Sequence, residues 1–303
     1  MTSAHFFCSS HNDASQLGIL PGSVIFHGTS IDERGILALS MESTPEHEKI
    51  LVTYDIEDMT LSVAGHTSNA DECVKLLEKY VSARQIILEA TTLGFAELFS
   101  LVRAFIRLNV KTFLIVYVEP QDYTRPKGEE SFALSELISG YHPIPHAIVD
   151  LSSDEVEAGV FFLGYEPERI ARALAEYQMI ATKSVKVVFG VPAFQAGWEL
   201  NAIIPHLPML SEQSNFDVAY CSANDPASAY DCLERTRSSL SPGAKMFVAP
   251  IGTKPCGIAT AVFTSLFPDE AGIIFDHPQK KKSRSSGVNI WHKYSIKIGE
   301  SST

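Results

Sequence analysis

The sequence predicts an α/β protein made of two tandem Rossmann-like lobes, each a parallel sheet in a three-layer α/β/α arrangement. Three observations predict it. Short β-branched and aromatic runs alternate with segments of helical spacing, at intervals long enough for right-handed crossovers. The clearest of these runs, Thr112–Val118, Val185–Phe189 and Met246–Ala249, are apolar nearly throughout, as strands covered on both faces are. A chain of 303 residues also exceeds the ~100–200 residues of one ordinary domain.

Residues 1–22 carry no sustained period, end in Pro21-Gly22 and read as an N-terminal extension. The first lobe is expected over 23–182. Strands are predicted at Ser23–Phe26, Ile50–Tyr54, Gln85–Leu88 and Thr112–Val118. The apolar run Ile36–Met41 predicts a helix. Cys73, Leu76, Leu77 and Tyr80 fall at helical spacing behind Ser68 or Asn69 as cap, and a long helix carries the polar stripe Glu97, Ser100, Arg103 and Arg107. From 121 to 146 the pattern lapses into a loop insertion that contains Arg125-Pro126-Lys127-Gly128-Glu129-Glu130. It resumes with Ala147–Asp150, Val160–Leu163 and a helix opened by Pro167.

The second lobe is expected over 183–303. Strands are predicted at Val185–Phe189, Phe216–Cys221, Met246–Ala249 and Ala271–Phe275. The intervening helices run around Trp198–Ile204, from Pro226 to Leu240 behind Asn224 or Asp225, and after Lys254. Asn289–Ile296 alternates and reads as an antiparallel edge strand.

The net charge of -12 argues against broad attraction to duplex nucleic acid, although a basic run, Lys280-Lys281-Lys282-Ser283-Arg284, stands out from the acidic whole. That run reads as a solvated loop or as a strap over a polyanion. Five scattered cysteines without a C-x-x-C pair fit a reduced, cytoplasmic protein better than a disulfide framework or a zinc cage. No apolar run reaches the ~18–20 residues of a membrane span, and no leader pattern opens the sequence. No His-Glu-x-x-His, Gly-x-Ser-x-Gly or Gly-x-Gly-x-x-Gly signature occurs, so no metal is expected and a nicotinamide dehydrogenase is disfavoured.

Ligands of open parallel sheets bind beyond the carboxyl ends of the strands. The residues expected there are Thr29, Ser30, Arg34, Asp55, Thr91 and Thr92 in the first lobe, and Asn224, Gly252, Thr253 and Lys254 in the second. Gly252-Thr253-Lys254 is the sharpest of these, because a strand passing through a Gly into a helix turns unpaired amides and a positive dipole end outward. A plain turn with a solvated lysine is the other reading. Asp55 holds ribose hydroxyls or caps a turn. Glu89 and Glu119 close consecutive strands, are expected to face one cleft as paired carboxylates, and are the candidate catalytic residues, either one serving as acid/base.

The segment Val248-Ala249-Pro250-Ile251-Gly252-Thr253-Lys254-Pro255, with Gly257 and Ala259 after it, resembles the strand–Gly-Thr-Lys–helix segment of CRISPR-associated Rossmann-fold (CARF) sensor domains. Ile86–Thr92 is a fainter echo of the same segment. The resemblance implies that the turn meets the phosphodiester of an oligoadenylate. It also implies that two lobes in one chain imitate a two-fold dimer, as in the related SAVED sensors, with the ligand bound in the crevice between them. The expected function is therefore sensing of a nucleotide-like phosphorylated ligand, in defence or signalling, with output through an effector protein partner. A nucleotide or nucleoside-sugar hydrolase or glycosidase using Glu89 or Glu119 is the alternative.

Overall fold

The computed structural model describes residues 2–41, 47–124, 132, 134–282 and 284–300. It is a mixed α/β protein with parallel sheets, in two compact units. One unit joins Met1–Thr124 to Lys282–Thr303, and the other is Arg125–Lys281. Among the described residues, no helix is long and apolar enough to cross a membrane.

The first part of the discontinuous unit contains β1 (Thr2–His11), β2 (Val24–His27), α1 (Glu33–Ser40), β3 (Glu48–Asp55), β4 (Thr60–Val63), β5 (His66–Ser68), α2 (Glu72–Leu77), β6 (Ile86–Glu89), α3 (Phe95–Arg107), β7 (Thr112–Val118) and β8 (Asp122–Tyr123). The continuous unit contains β9 (Ser135–Ile138), β10 (Val156–Leu163), α4 (Pro167–Glu176), β11 (Ser184–Gly190), α5 (Trp198–Glu212), β12 (Phe216–Cys221), α6 (Pro226–Ser238), β13 (Lys245–Pro250), α7 (Lys254–Leu266), β14 (Ala271–Ile273) and β15 (Pro278–Lys280). The chain then returns to the first unit with β16 (Ser285–Ser286) and β17 (Trp291–Glu300).

The discontinuous unit is built on an eight-stranded sheet, ordered β1-β17-β7-β6-β2-β3-β4-β5. Its centre, β7-β6-β2-β3, is parallel, and both flanks are antiparallel. Helix α1 starts where it does because the Asp32 carboxylate accepts from the Gly35 N–H at 2.9 Å. The Asn69 side chain takes the N–H groups of Asp71 and Glu72 ahead of α2. Helix α3 buries Leu98, Leu101, Val102 and Phe105 and carries Arg107 in its last turn.

In the continuous unit, five parallel strands run in the order β12-β11-β10-β13-β14, which in chain order is 3-2-1-4-5. This order is compatible with a doubly wound Rossmann-type sheet, whose strand order reverses between β10 and β13. Val160, Phe161, Phe162 and Phe247 are fully buried in it. Helix α7 is buried along nearly its whole length. Its polar Thr260 and Thr264 return their hydroxyls to the carbonyls of Cys256 and Thr260, at 2.9 and 2.8 Å.

Several boundaries differ from the expected ones. Residues 2–11 are a strand rather than an extension, paired with β17 from Thr2↔Glu300 to His11↔Trp291. That strand is half exposed, and its partner lies at the other end of the chain, so no local period marks it. Because β1 lies outside it, β17 is antiparallel but interior. The join expected near 182/183 is displaced to 124/125 and 281/282. Strand β10 ties 125–182 to the later strands of the continuous unit, pairing with β11 on one side and β13 on the other. Helix α5 runs past Ile204 to Glu212 despite Pro205 and Pro208. The excursion 125–130 and Ser283 of the basic run lie outside the described residues.

Candidate functional site

In the continuous unit the chain passes from β13 to α7 through Ile251, Gly252 and Thr253, beside the tip of β10 where the strand order reverses. A Cβ on Gly252 would stand 2.9 Å from the Leu163 carbonyl oxygen and 3.0 Å from that of Phe162, so a side chain here collides with backbone. Thr253 is the extended residue that precedes α7, and its hydroxyl lies 3.0 Å from the Ala223 carbonyl and 3.2 Å from the Cys256 sulfur. The Thr253 side chain therefore ties the turn to its neighbours, while half-buried Lys254 begins the helix at its positive dipole end.

A buried ion pair braces this turn. Arg169 of α4 reaches Asp276, just past β14, through Nε at 2.7 Å and Nη2 at 2.5 Å, and gives Nη1 to the Ile251 carbonyl at 2.9 Å. Asp276 is fully buried, so the pair is bidentate and desolvated. It links the segments past β13 and β14 to one fixed guanidinium on α4. Sequence reasoning missed Arg169; its one signal is a cation directly before inward-facing Ile170 in a helix whose next strand tips include an aspartate. Asn224, also at a strand tip, accepts the Ser222 hydroxyl at 2.9 Å and precedes the α6 cap Asp225. A cavity of about 550 Å³ opens elsewhere in this unit, lined by His142, Ile148, Tyr177, Met179, Ile273 and Phe275 among others, and includes none of the turn residues.

In the discontinuous unit the strand order reverses between β2 and β6. Their tips are fastened together: the Gly28 N–H donates to the Thr92 hydroxyl at 2.9 Å. Glu89 is fully buried and accepts the N–H groups of Thr91 and Thr92 at 2.8 and 2.9 Å, as well as the Thr92 hydroxyl. The Thr91 hydroxyl accepts the Val118 N–H at 2.9 Å. Glu89, Thr91 and Thr92 thus form a closed knot that shapes the β6–α3 turn.

Arg34 is buried as well. It donates to Asp32 at 3.1 Å, to the Val118 carbonyl at 3.1 Å and to the Tyr117 hydroxyl at 3.3 Å, while its Nε has no partner among the described residues. Burial pushes the Asp32 carboxyl up, but the Arg34 guanidinium, the Gly35 N–H and the Ser285 hydroxyl outweigh it and hold the group below its usual range. Ser30 gives its hydroxyl to the Asp32 carbonyl at 3.2 Å, and Thr29 is exposed. Asp55 takes the N–H groups of Glu57 and Asp58, each at 2.9 Å, and so caps the turn between β3 and β4.

Glu119 has different company. It accepts Asn289 Nδ2 at 2.8 Å and faces His292 Nε2 at 2.9 Å, while His292 Nδ1 lies 3.0 Å from the Ser10 hydroxyl. The imidazole stacks on Tyr117 and Tyr294. Ser10 is exposed, and His292 and Glu119 are each 2% exposed. Glu89 and Glu119 are therefore committed to separate networks instead of sharing a cleft. Cross-strand pairing of Ser10 with His292, invisible to local periodicity, creates the second of these.

Among the described residues, no group of three or more His, Cys, Asp or Glu is arranged to hold a metal ion. No protein-family model matches the chain, and no curated protein matches it. Among solved structures, the crystal structure of a ketoreductase domain from the bacillaene assembly line is similar over 81% of this chain and 61% of its own, with 10% identity and a TM-score of 0.21. The chain thus spans about three-fifths of that structure's length.

Proposed function

We propose that the chain senses a phosphorylated, nucleotide-like ligand through the Gly252-Thr253-Lys254 turn. The observation that carries this reading is the turn's position, beside the β10 tip where the strand order reverses and at the N-terminus of a thirteen-residue helix. Gly252 seats the turn against the β10 backbone, and Lys254 supplies a point charge for a phosphodiester. The Thr253 hydroxyl is spent on Ala223 and Cys256, so its part is to hold the turn in shape. The resemblance of 248–255 to oligoadenylate sensors favours a cyclic oligonucleotide, with output through an effector protein in signalling or defence. Calorimetric titration with cyclic oligoadenylates and with AMP and ATP tests this. A charge-assisted hydrogen bond is worth about 1.5–3 kcal/mol, so Lys254→Ala is expected to weaken binding by about tenfold or more. Absence of binding, or equal binding by the variant, removes the reading.

A second reading is favoured by the Ser10–His292–Glu119 relay. With Nε2 directed at Glu119 and Nδ1 at the Ser10 hydroxyl, His292 is placed to take the hydroxyl proton as a general base. Ser10 then attacks a phosphoryl or acyl centre, its proton passes to His292 and on to the leaving group, and water releases the product. Glu119 acts here through His292. Labelling with a fluorophosphonate, which forms a P–O bond and expels fluoride, is expected at Ser10 and abolished in Ser10→Ala. Equal labelling of both proteins would contradict the relay.

A further inference from the structure

Next to the Lys254 turn lies a pair of thiols. Cys221 closes β12 and Cys256 is the third residue of α7, and both side chains are buried. Their sulfurs are 3.9 Å apart, so a closure of about 1.9 Å separates them from the ≈ 2.05 Å of a disulfide bond.

The two sulfurs have unequal surroundings. Cys256 receives the Cys221 S–H first of all; burial opposes ionisation, but the backbone N–H groups of Thr253 and Cys256 and the Thr253 hydroxyl, which at 3.2 Å shares its one proton with the Ala223 carbonyl, hold the thiol below its usual range. Cys221 is pushed up, first by the hydrogen bond to Cys256 and then by burial. A sulfur in the first turn of a helix, ringed by donors and touching a proton-bearing partner, is the arrangement that makes one thiol an attacking thiolate and the other its resolving partner. Buried Cys73 has no such help, and burial pushes it up to about 11 although Arg103 opposes the shift.

We propose that Cys221 and Cys256 are a reversible redox couple that reacts with a small hydroperoxide. The Cys256 thiolate attacks one peroxide oxygen, the O–O bond breaks, and hydroxide leaves and takes up a proton, so Cys256 becomes a sulfenic acid. Cys221 then attacks that sulfur, the S–O bond breaks, and water departs with the thiol proton as the disulfide forms. The two thiols lose two electrons and two protons in all, and hydrogen peroxide becomes two waters; a dithiol reverses the change. The couple is independent of whether the neighbouring turn binds an anion.

The test treats the reduced full chain with hydrogen peroxide, alkylates remaining thiols in denaturant, and maps unreduced peptides by tandem mass spectrometry that separates Cys221 from Cys232. A Cys221–Cys256 cross-link is expected to form at least about tenfold faster than any oxidation of Cys73, and to disappear with dithiothreitol. In Cys221→Ser the resolving thiol is gone, and dimedone is expected to trap Cys256 as its sulfenic acid adduct. If Cys221 and Cys256 are both recovered alkylated while exposed Cys8 is oxidised, the proposal is overturned. Oxidation of Cys256 to sulfinic acid without the cross-link overturns it equally.

Discussion

His206 in α5 gives its Nδ1 proton to the Ala202 carbonyl at 2.6 Å, while its buried Nε2 has no partner among the described residues. A second proton on the ring would sit unpaired in the core, and burial accordingly pushes this histidine below its ordinary value; His277 is lowered by burial too. Below pH ~6.5 the unfolded chain binds protons that these folded rings refuse, so stability is lost as pH falls from that value toward the folded one. The loss is bounded at about 1.4 kcal/mol per pH unit for each ring. Urea unfolding at pH 7.5 and 5.5 is expected to show the decline, and His206→Gln to show a smaller one. An unchanged slope in the variant would mean that His206 is not a source. Residues of this kind also show why charged positions were hard to assign from sequence. Glu89, Glu119 and Arg34 all stand at or just past strand tips, where a side chain that meets a ligand and one that folds back onto its own turn follow the same residue pattern. In each case the partner that decides is distant in the chain or is a backbone N–H, which composition does not reveal.

The β13–α7 turn is held from below by Gly252 against the β10 backbone and from the side by the Arg169–Asp276 pair. Gly252→Ala places a methyl group against two carbonyl oxygens that cannot rotate away, and overpacking of this sort costs about 1–3 kcal/mol. A lowered urea midpoint is expected, together with weaker nucleotide binding in calorimetry. A variant with wild-type stability and affinity would show that the turn does not need the close approach. This turn was readable in the sequence because its strand is a continuous apolar run, its Gly stands between strand and helix, and Pro255 suits a first helical turn. The same logic found β6, β7, β11 and β12. It failed for β1, whose Phe7 and Cys8 are exposed, and for β4 and β5, the short antiparallel strands that follow β3 and carry no buried run of their own.

Both ends of the chain build one unit, and the segment between them builds the other. A linear reading places boundaries between successive patterns, and so it cut through the continuous unit at 182/183, between two strands that pair directly. Repetition of strand and helix was visible; which strands share a sheet was not, because pairing over a hundred or more residues leaves no local mark. The 3-2-1-4-5 order puts the β10–β13 reversal, beside which the Gly252-Thr253-Lys254 turn lies, in the continuous unit. Hydrogen–deuterium exchange with and without a saturating cyclic oligoadenylate probes the ligand reading in place. Slower exchange is expected in the peptides spanning 164–169 and 251–258, with the rest of the chain little changed. Exchange that stays the same in both peptides, or slows only in the β6–α3 turn, would contradict it.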